Sequence, residues 1–404
     1  MADITYILND PTTKNLTQPV NLPEKPGVLN FKVAGYRGAT PNMYTLEHQA
    51  ACCHYSIVQG INLLNKYLVN PVNKWAATKL LRVHPRAGKQ LNAYYDRHNL
   101  KFFYSNDPVA KKMVFTSNSA DVVLHELGHA VLDAIRPDLF STQAMEVWGF
   151  HESFGDIFAI INALQHEKVL YHIIDETNGD LRKANVATKV GEEIGTAIYN
   201  VTGGRMGHSV GSLRNAVNDY KYVPPENLPR NGKHNQLTSE CHSFSRVFTG
   251  AWYDILVGIY EHEKQNMSPI DALIKARNVL AKYTFRSLRQ APKTIRFYDA
   301  VAKAMLVIDK ANGSKYNQIM NQAFIQRNIL RQAVKPFAAL NWDAFEDTLE
   351  PEADVFEDSA VKTVTNKKTE MLNLSDYMLN VEAPADSYYE FDDVGNCVEM
   401  IEAG

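Results

Sequence analysis

The chain has 404 residues, of which 45% are hydrophobic and 22% charged, and its formal net charge is −3. This mix is typical of a soluble globular protein of two or three domains and excludes a disordered, collagen-like or disulfide-scaffolded chain. No apolar run is long enough to span a bilayer, and the first residues lack the basic start and apolar core of a Sec signal peptide. We therefore expect no membrane partner and no Sec export, with the protein in the cytoplasm or on a secretion route without a Sec signal.

Four cysteines form no CxxC pair and suggest no metal or disulfide framework, so they are interpreted as buried or incidental thiols. They are Cys52, Cys53, Cys241 and Cys397.

Residues 1–118 are predicted to form a mixed lobe that tends to β-structure. Short alternating runs such as Leu29, Phe31 and Val33 are typical of strands, and the runs KLLRV, LNAYY and LKFFY follow the same pattern. Residues 44–67 are the exception, because their apolar and small residues recur at helical spacing.

Residues 119–340 are predicted to form a helical lobe. Ser119 is a candidate N-cap for the helix DVVLHELGHAVLDAIR, which Pro137 ends. Residues 165–240 are interpreted as irregular, and their glycine-rich stretch lacks the Lys-Ser/Thr of a P-loop, so we expect no phosphate site there. Further helices are predicted over 147–164, over 243–261, from Ser268-Pro269 onward and from about Thr294 to Gly313.

Charge changes abruptly near residue 341. The segment 341–404 holds seventeen acidic residues against three lysines, whereas the preceding part of the chain is net positive. The change predicts a separate acidic C-terminal segment over 341–404. The basic residues of the preceding part are scattered, without an aromatic-interleaved basic motif, so we expect no nucleic-acid partner.

The first helix of the second lobe carries the motif His125-Glu126-Leu127-Gly128-His129. Residues at i and i+4 share one face of a helix, so both imidazoles can bind one zinc ion while Glu126 faces the attacking water. The alternative is a pair of core or surface histidines on an amphipathic helix, since such a motif also arises by chance.

A hydrolytic zinc site needs a third protein ligand and one open position. The third histidine of the metzincins is excluded, because Ile135 stands at its position. The segment HESFGD offers Glu152 as a carboxylate ligand. Asp156 follows one helical turn later and is placed to accept the free N–H of a zinc-bound histidine.

His125-Glu-x-x-His129 followed by Glu152-x-x-x-Asp156 resembles the gluzincin metallopeptidases, and DVVLHELGHAV is similar to the active-site helix of thermolysin-like enzymes. Three further segments match in the family's order: NAYY with Asn92, SLRNAVNDY with Arg214, and CHSFSRVFTGAWYD with His242. The resemblance implies an α+β thermolysin-like fold of two lobes, a β-containing N-terminal lobe and a mainly helical C-terminal lobe with the zinc cleft between them.

The resemblance also implies roles for the matched residues. Asn92 and Ala93 would align a peptide along an edge strand by β-augmentation. Arg214 would hold a substrate carbonyl, and His242 would donate a hydrogen bond to the oxyanion.

By the same resemblance, Val122 and Leu213 would line an apolar pocket just past the scissile bond. The implied activity is that of a zinc-dependent endopeptidase, which binds one zinc ion, takes peptide or protein substrates and uses Glu126 as general base. Two alternatives stay open: an aminopeptidase of the same class, although no GxMEN-type motif is present, and a catalytically impaired zinc- or peptide-binding protein. The sequence does not give the oligomeric state.

Three features depart from the family pattern. Phe140 stands where the family places a phenolic tyrosine, and the nearest acid before His242 is Glu240 rather than the family's Asp. Asp121 matches one ligand of the family's calcium site, but no acidic series follows the Glu152 helix. The sequence therefore argues against bound calcium.

Overall fold

The computed structural model of the chain describes residues 3–13, 15–38, 42–203 and 211–331, and three short strands beyond residue 371. It combines helices with strands, which confirms the α+β class. The boundaries predicted at residues 118 and 340 stay predictions, and most of the acidic segment 341–404 lies outside the described residues.

Most of the described strands lie before residue 116. The largest sheet has the order β3-β4-β6-β5, in which β3, β4 and β6 run parallel and β5 is antiparallel to β6 at one edge. The runs KLLRV, LNAYY and LKFFY all contribute to this sheet, so their prediction as strands is confirmed. The described strands are β1 (Asp3–Ile7), β2 (Thr17–Asn21), β3 (Phe31–Val33), β4 (Leu81–His84), β5 (Ala93–Tyr95), β6 (Asn99–Phe102), β7 (Tyr104–Asp107), β8 (Lys112–Phe115), β9 (Lys189–Val190), β10 (Arg214–Asn215), β11 (Leu372–Asn373), β12 (Tyr388–Phe391) and β13 (Cys397–Ile401).

Helices dominate after residue 119, as predicted, and the expected helix over 44–67 is also present as α1. Among the described residues, none of the helices is long and apolar enough to cross a membrane. The described α-helices are α1 (Leu46–Tyr67), α2 (Ala120–Ile135), α3 (Pro137–Phe140), α4 (Met145–Ala163), α5 (Glu167–Thr177), α6 (Glu192–Thr202), α7 (Cys241–Glu263), α8 (Pro269–Gln290), α9 (Phe297–Ala311) and α10 (Asn317–Gln326).

The interpretation of residues 165–240 as irregular is wrong for α5 and α6. Both helices bury a short apolar stripe at helical spacing, as Ile194, Ala197 and Ile198 do in α6. Each stripe spans only about three turns, and glycines and polar residues surround it. The apolar period is therefore too short to predict a helix from the sequence.

Side-chain caps begin the described helices α1, α7 and α8. The Ser268 hydroxyl accepts from the backbone N–H of Asp271 at 3.2 Å, with Pro269 in the first turn, as predicted for α8. The side-chain cap predicted for Ser119 is wrong. Its hydroxyl instead donates to Oδ2 of the buried Asp10 at 2.7 Å, because a buried carboxylate needs donors.

Helix α4 is almost entirely buried and packs between α2 and α7. Where α2 meets α4, a Cβ on Gly128 would lie 2.9 Å from the Cα of Gly155. The two helices therefore approach more closely than larger residues would allow. This contact places the HELGH segment of α2 alongside the HESFGD segment of α4.

Candidate metal centre

His125 and His129 lie one turn apart on α2, and their Nε2 atoms are 3.2 Å apart. The rings meet edge to face with their centroids 4.7 Å apart. Burial lowers the pKa of His129 to about 3, so its imidazole is neutral at neutral pH and has a lone pair available for a metal. The helical spacing thus brings both nitrogens to one point, as the motif predicted.

Glu152 on α4 faces both imidazoles. Its Oε2 lies 3.4 Å from Nε2 of His125, and its Oε1 lies 3.5 Å from Nε2 of His129. One ligand atom from each of the three residues lies within 4.8 Å of the other two, so the group could hold a metal ion. The structure therefore brings together the three residues that the sequence selected as ligands.

The chemistry of this group fits a cation. Oε2 of Glu152 is buried and makes no hydrogen bond to any described residue. Buried polar atoms are rarely without a partner, so an orphan carboxylate oxygen between imidazoles indicates a site for a positive charge. Two imidazoles and one carboxylate also form a donor set that hydrolytic zinc takes, leaving one position open.

Asp156, one turn after Glu152, orients the ring of His125. Its Oδ1 lies 2.9 Å from Nδ1 of His125. Burial alone would lower the pKa of His125, but the carboxylates of Asp156 and Glu152 raise it to about 9. This contact places a proton on Nδ1, which donates to Asp156, and leaves Nε2 facing Glu152.

Arg214 joins this network from β10, where it pairs with Val190 of β9. Its Nε and Nη2 each donate to Asp156 at 2.8 Å, and Nη2 lies 3.8 Å from Oε2 of Glu152. A fork of this kind is strong and directional. The guanidinium is thus engaged with the carboxylate that orients His125, and its substrate contact stays a prediction.

Glu126 lies between the two histidines in sequence and is buried. Burial raises the pKa of its carboxyl to about 7, while the charges of His125, Arg214 and His242 act in the opposite direction. None of the described residues forms a hydrogen bond with this carboxylate. A carboxyl with a pKa near 7 and no fixed partner is suited to exchange protons at neutral pH.

His242, near the start of α7, approaches the same carboxylate. Its Nε2 lies 3.5 Å from Oε2 of Glu152, and its Nδ1 contacts Oε1 of Glu240. Glu240 also caps α7 by accepting from the backbone N–H groups of His242 and Ser243. Although desolvation alone would lower the pKa of His242, the carboxylates of Glu152 and Glu240 raise it above its ordinary value. The acid that the sequence offered in place of the family's Asp therefore does orient this histidine.

The predicted substrate residues lie on elements next to this group. Ala93 begins the edge strand β5, and the side-chain oxygen of the preceding Asn92 accepts from the Ala93 N–H at 2.8 Å. Val122 is buried on α2, one turn before Glu126, and Leu213 packs partly buried beside the core. Strand β5 is held on α2 by the hydroxyl of Tyr95, which donates to Asp133 at 2.8 Å. The roles of these four residues in binding a substrate stay predictions.

Phe140 is buried among aromatic rings. Tyr95, Trp148 and His151 surround it at centroid distances of 6.1, 6.0 and 5.7 Å, and the guanidinium of Arg97 lies over its ring at 4.5 Å. The ring therefore contributes packing between β5 and α4. The effect of the missing tyrosine hydroxyl on catalysis stays a prediction.

An acidic cluster around Asp121 escaped the sequence analysis. Asp10 and Glu192 lie beside it, Glu193 lies beside Asp10, and all four carboxylates are buried. Burial, followed by the charge of Asp10, raises the pKa of Asp121 well above its ordinary value. Because these residues come from three distant segments, no local spacing signalled the cluster. Among the described residues it is not one of the groups close enough to hold a metal ion.

Cys241 lies in a different environment from the buried thiols of α1, and its interpretation as an incidental thiol stays a prediction. It begins α7 and is only half-buried, and its Sγ lies 3.6 Å from Nδ1 of His242. Together with Glu152 and His242 it forms a second group of possible metal ligands. Cys52 and Cys53, in contrast, are buried free thiols in α1.

No protein-family model matches the chain, and the search of curated proteins found no relative. The resemblance to the gluzincins is carried by the motif segments of the sequence and stays a prediction.

Proposed function

We propose that the protein is a zinc-dependent endopeptidase with the two-lobed arrangement of thermolysin-like enzymes and its cleft between the lobes. The observation that carries the proposal is the Glu152 carboxylate placed against His125 and His129, with Glu126 buried beside them. Two histidines with a purely structural role would need neither a third buried ligand nor a carboxylate oxygen left without a hydrogen bond to the described residues. This arrangement favours a hydrolytic centre over the structural alternative.

His125, His129 and Glu152 would hold the zinc ion, while Asp156 fixes the ring of His125. When bound, zinc supplies Lewis-acid polarisation of the scissile carbonyl and activation of a water molecule. Glu126 takes the proton of the attacking water at its carboxylate and passes it to the leaving amine.

His242 stabilises the charge that develops on the carbonyl oxygen. Because the Glu240 carboxylate contacts Nδ1, the Nε2 atom faces the candidate metal ligands. The carboxylates of Glu152 and Glu240 favour the protonated form of the imidazole. An N–H in this position acts as a preorganised donor, which stabilises the transition state more than the ground state.

The substrate would bind as an extended peptide along β5. This strand lies at the edge of its sheet, so a peptide can be added to it by backbone hydrogen bonds. Asn92 and Ala93 would contact the peptide there, with Arg214 on a substrate carbonyl. Val122 and Leu213 would favour a bulky apolar residue just past the cleaved bond.

Cleavage of a mixed peptide library, half of it acetylated at the N-terminus, tests the proposal. An endopeptidase cuts internal bonds of blocked and free peptides alike, and a chelator abolishes the cuts until zinc is restored. Cuts confined to free N-terminal residues would indicate an aminopeptidase instead. Binding without any cleavage would contradict the enzymatic assignment and favour a peptide-binding protein.

A further inference from the structure

A second group of ligand atoms adjoins the first. Glu152, Cys241 and His242 each offer one atom within 4.8 Å of the atoms of the other two. Cys241 and His242 are the first two residues of α7, and Glu152 reaches them from α4. The two groups therefore share one residue, Glu152.

We propose that this group is a second metal site, at which a cysteine thiolate selects a thiophilic divalent cation such as zinc or cadmium. The position of the Glu152 carboxylate is the first support. Its Oε1 faces His129 at 3.5 Å, whereas its Oε2 lies between the Nε2 atoms of His125 and His242 at 3.4 and 3.5 Å. Both oxygens thus face the first group and Oε2 also faces His242, so the carboxylate can bridge two ions at the short separation typical of two-metal sites.

The unpartnered oxygen is the second support. Oε2 of Glu152 is buried without a hydrogen bond to any described residue, although His242 and Cys241 both lie near it. A purely structural carboxylate would be expected to gain a donor there. The unpartnered oxygen faces His242 on the α7 side of Glu152 as well as His125 on the α2 side, so it is open to an ion on either side.

The side chains on α7 are arranged as metal ligands. Glu240 holds Nδ1 of His242, which leaves Nε2 for an ion, as the outer partners of metal-bound histidines do. The Cys241 thiol lies among polar groups, 3.4 Å from Oε1 of Glu240 and 3.6 Å from Nδ1 of His242. About half of the His242 side chain is exposed, so an ion can reach the site from solvent.

The donor set determines the class of metal. Sulfur, imidazole and one carboxylate suit zinc and softer ions, whereas calcium and magnesium prefer oxygen ligands. Binding releases the thiol proton to solvent. The ion would also occupy Nε2 of His242, so binding there and the oxyanion role of that histidine exclude each other. The site itself does not require the protein to be a peptidase.

Metal stoichiometry and thiolate absorption of the full chain test this site. The protein is loaded with one equivalent of zinc and titrated with cadmium, while bound metals are measured by equilibrium dialysis and the cadmium–thiolate band by ultraviolet absorption. We expect a second equivalent to bind with the band. Cys241→Ser should keep the first ion, lose the band and weaken the second ion by at least about 10-fold, since even an outer partner is worth that much.

Two further variants complete the test. Cys52→Ser removes a buried thiol of α1 and should leave both ions and the band unchanged. His242→Gln removes the nitrogen ligand only, and should weaken the second ion even if Cys241→Ser fails to fold.

A band that persists in Cys241→Ser, or the absence of a second equivalent in the wild type, would overturn the inference while leaving the first site standing. The wild type could instead bind one ion that gives the band, and His129→Ala could still bind that ion. This result would support the thiolate site and contradict the zinc ligands of the proposed peptidase. The two proposals therefore fail by different results.

Discussion

Gly155 lies so close to His125 that a Cβ at this position would stand 2.6 Å from Nδ1 of the imidazole. The same nitrogen lies 2.9 Å from Oδ1 of Asp156, the next residue of α4. A side chain at position 155 would therefore occupy the space of the ring and disturb its contact with Asp156. The glycine in HESFGD is thus part of what positions the first histidine.

Gly155→Ala should displace the His125 ring, lower the affinity for zinc and reduce the free energy of unfolding by about 1–3 kcal/mol, the usual cost of overpacking. Urea unfolding and zinc titration against a competing chelator measure both effects. Gly258→Ala is the matched control, because its Cβ would clash with Ile319 on α10, away from the histidines. The control should lose stability and bind zinc normally. Equal zinc affinity in both variants would show that the close contact does not hold the ring.

Asp156→Ala should weaken zinc binding by roughly 10- to 100-fold, because it removes the partner that orients His125 and leaves Arg214 without its carboxylate. Asp133→Ala on α2 is the control. It also leaves an arginine, Arg97, without its carboxylate partner, but the hydrogen bonds of Asp133 do not involve the candidate ligands. Zinc titrations of the two variants separate orientation of the ligand from general loss of stability. Unchanged affinity in Asp156→Ala would remove this residue from the site.

Metal removal should lower the melting temperature of the wild type, because an ion bound by α2 and α4 stabilises only the folded state. At a free zinc concentration of 1,000 Kd this linkage amounts to about 4 kcal/mol. Thermal unfolding with and without a chelator measures the shift, and His129→Ala should show a smaller shift than the wild type, because it lacks one ligand of the first group. A wild type that is insensitive to the chelator and to added zinc would contradict binding between these helices.

His242→Ala should reduce peptide turnover by a factor on the order of 10² to 10³, the usual loss for a single donor to a developing oxyanion. Its zinc content at one equivalent should not change, since His242 does not belong to the first group of ligands. His262→Ala, at the other end of α7, should behave as the wild type. Near-normal turnover of His242→Ala would remove the residue from the catalytic group.

Local spacing made the central part of the site predictable. The i, i+4 relation of His125 and His129 depends only on helical geometry, and the apolar period of α2 and α4 identified both helices. The step from these helices to Glu152 came from the need for a third ligand, which HESFGD offers, and was supported by the motif resemblance, because no spacing rule states which helix packs on α2. Gly128 and Gly155 allow these two helices to pack closely. The sequence pattern predicts no role for either glycine.

What the sequence missed depends on contacts between distant segments. The backbone N–H of Glu193 donates to Asp10, 183 positions earlier. The Ser119 hydroxyl donates to the same carboxylate instead of capping α2. The proximity of Cys241 to Glu152 gave no signal either, because Glu152 lies on another helix and no CxxC pair marks the cysteine. Such contacts follow from the three-dimensional packing and have no signature in local periodicity.

Glu126→Gln tests the central claim most directly, because glutamine can hydrogen-bond a water molecule but cannot take its proton. Turnover of a blocked peptide is measured for this variant and for the wild type, purified in parallel and adjusted to equal zinc content. We predict that Glu126→Gln keeps one zinc ion and the wild-type melting temperature but retains less than about 1% of the rate, as expected when a general base that contributes about 10² or more is lost. A variant that holds zinc and hydrolyses the peptide at a rate near that of the wild type would contradict the assignment of this centre as a hydrolytic zinc site.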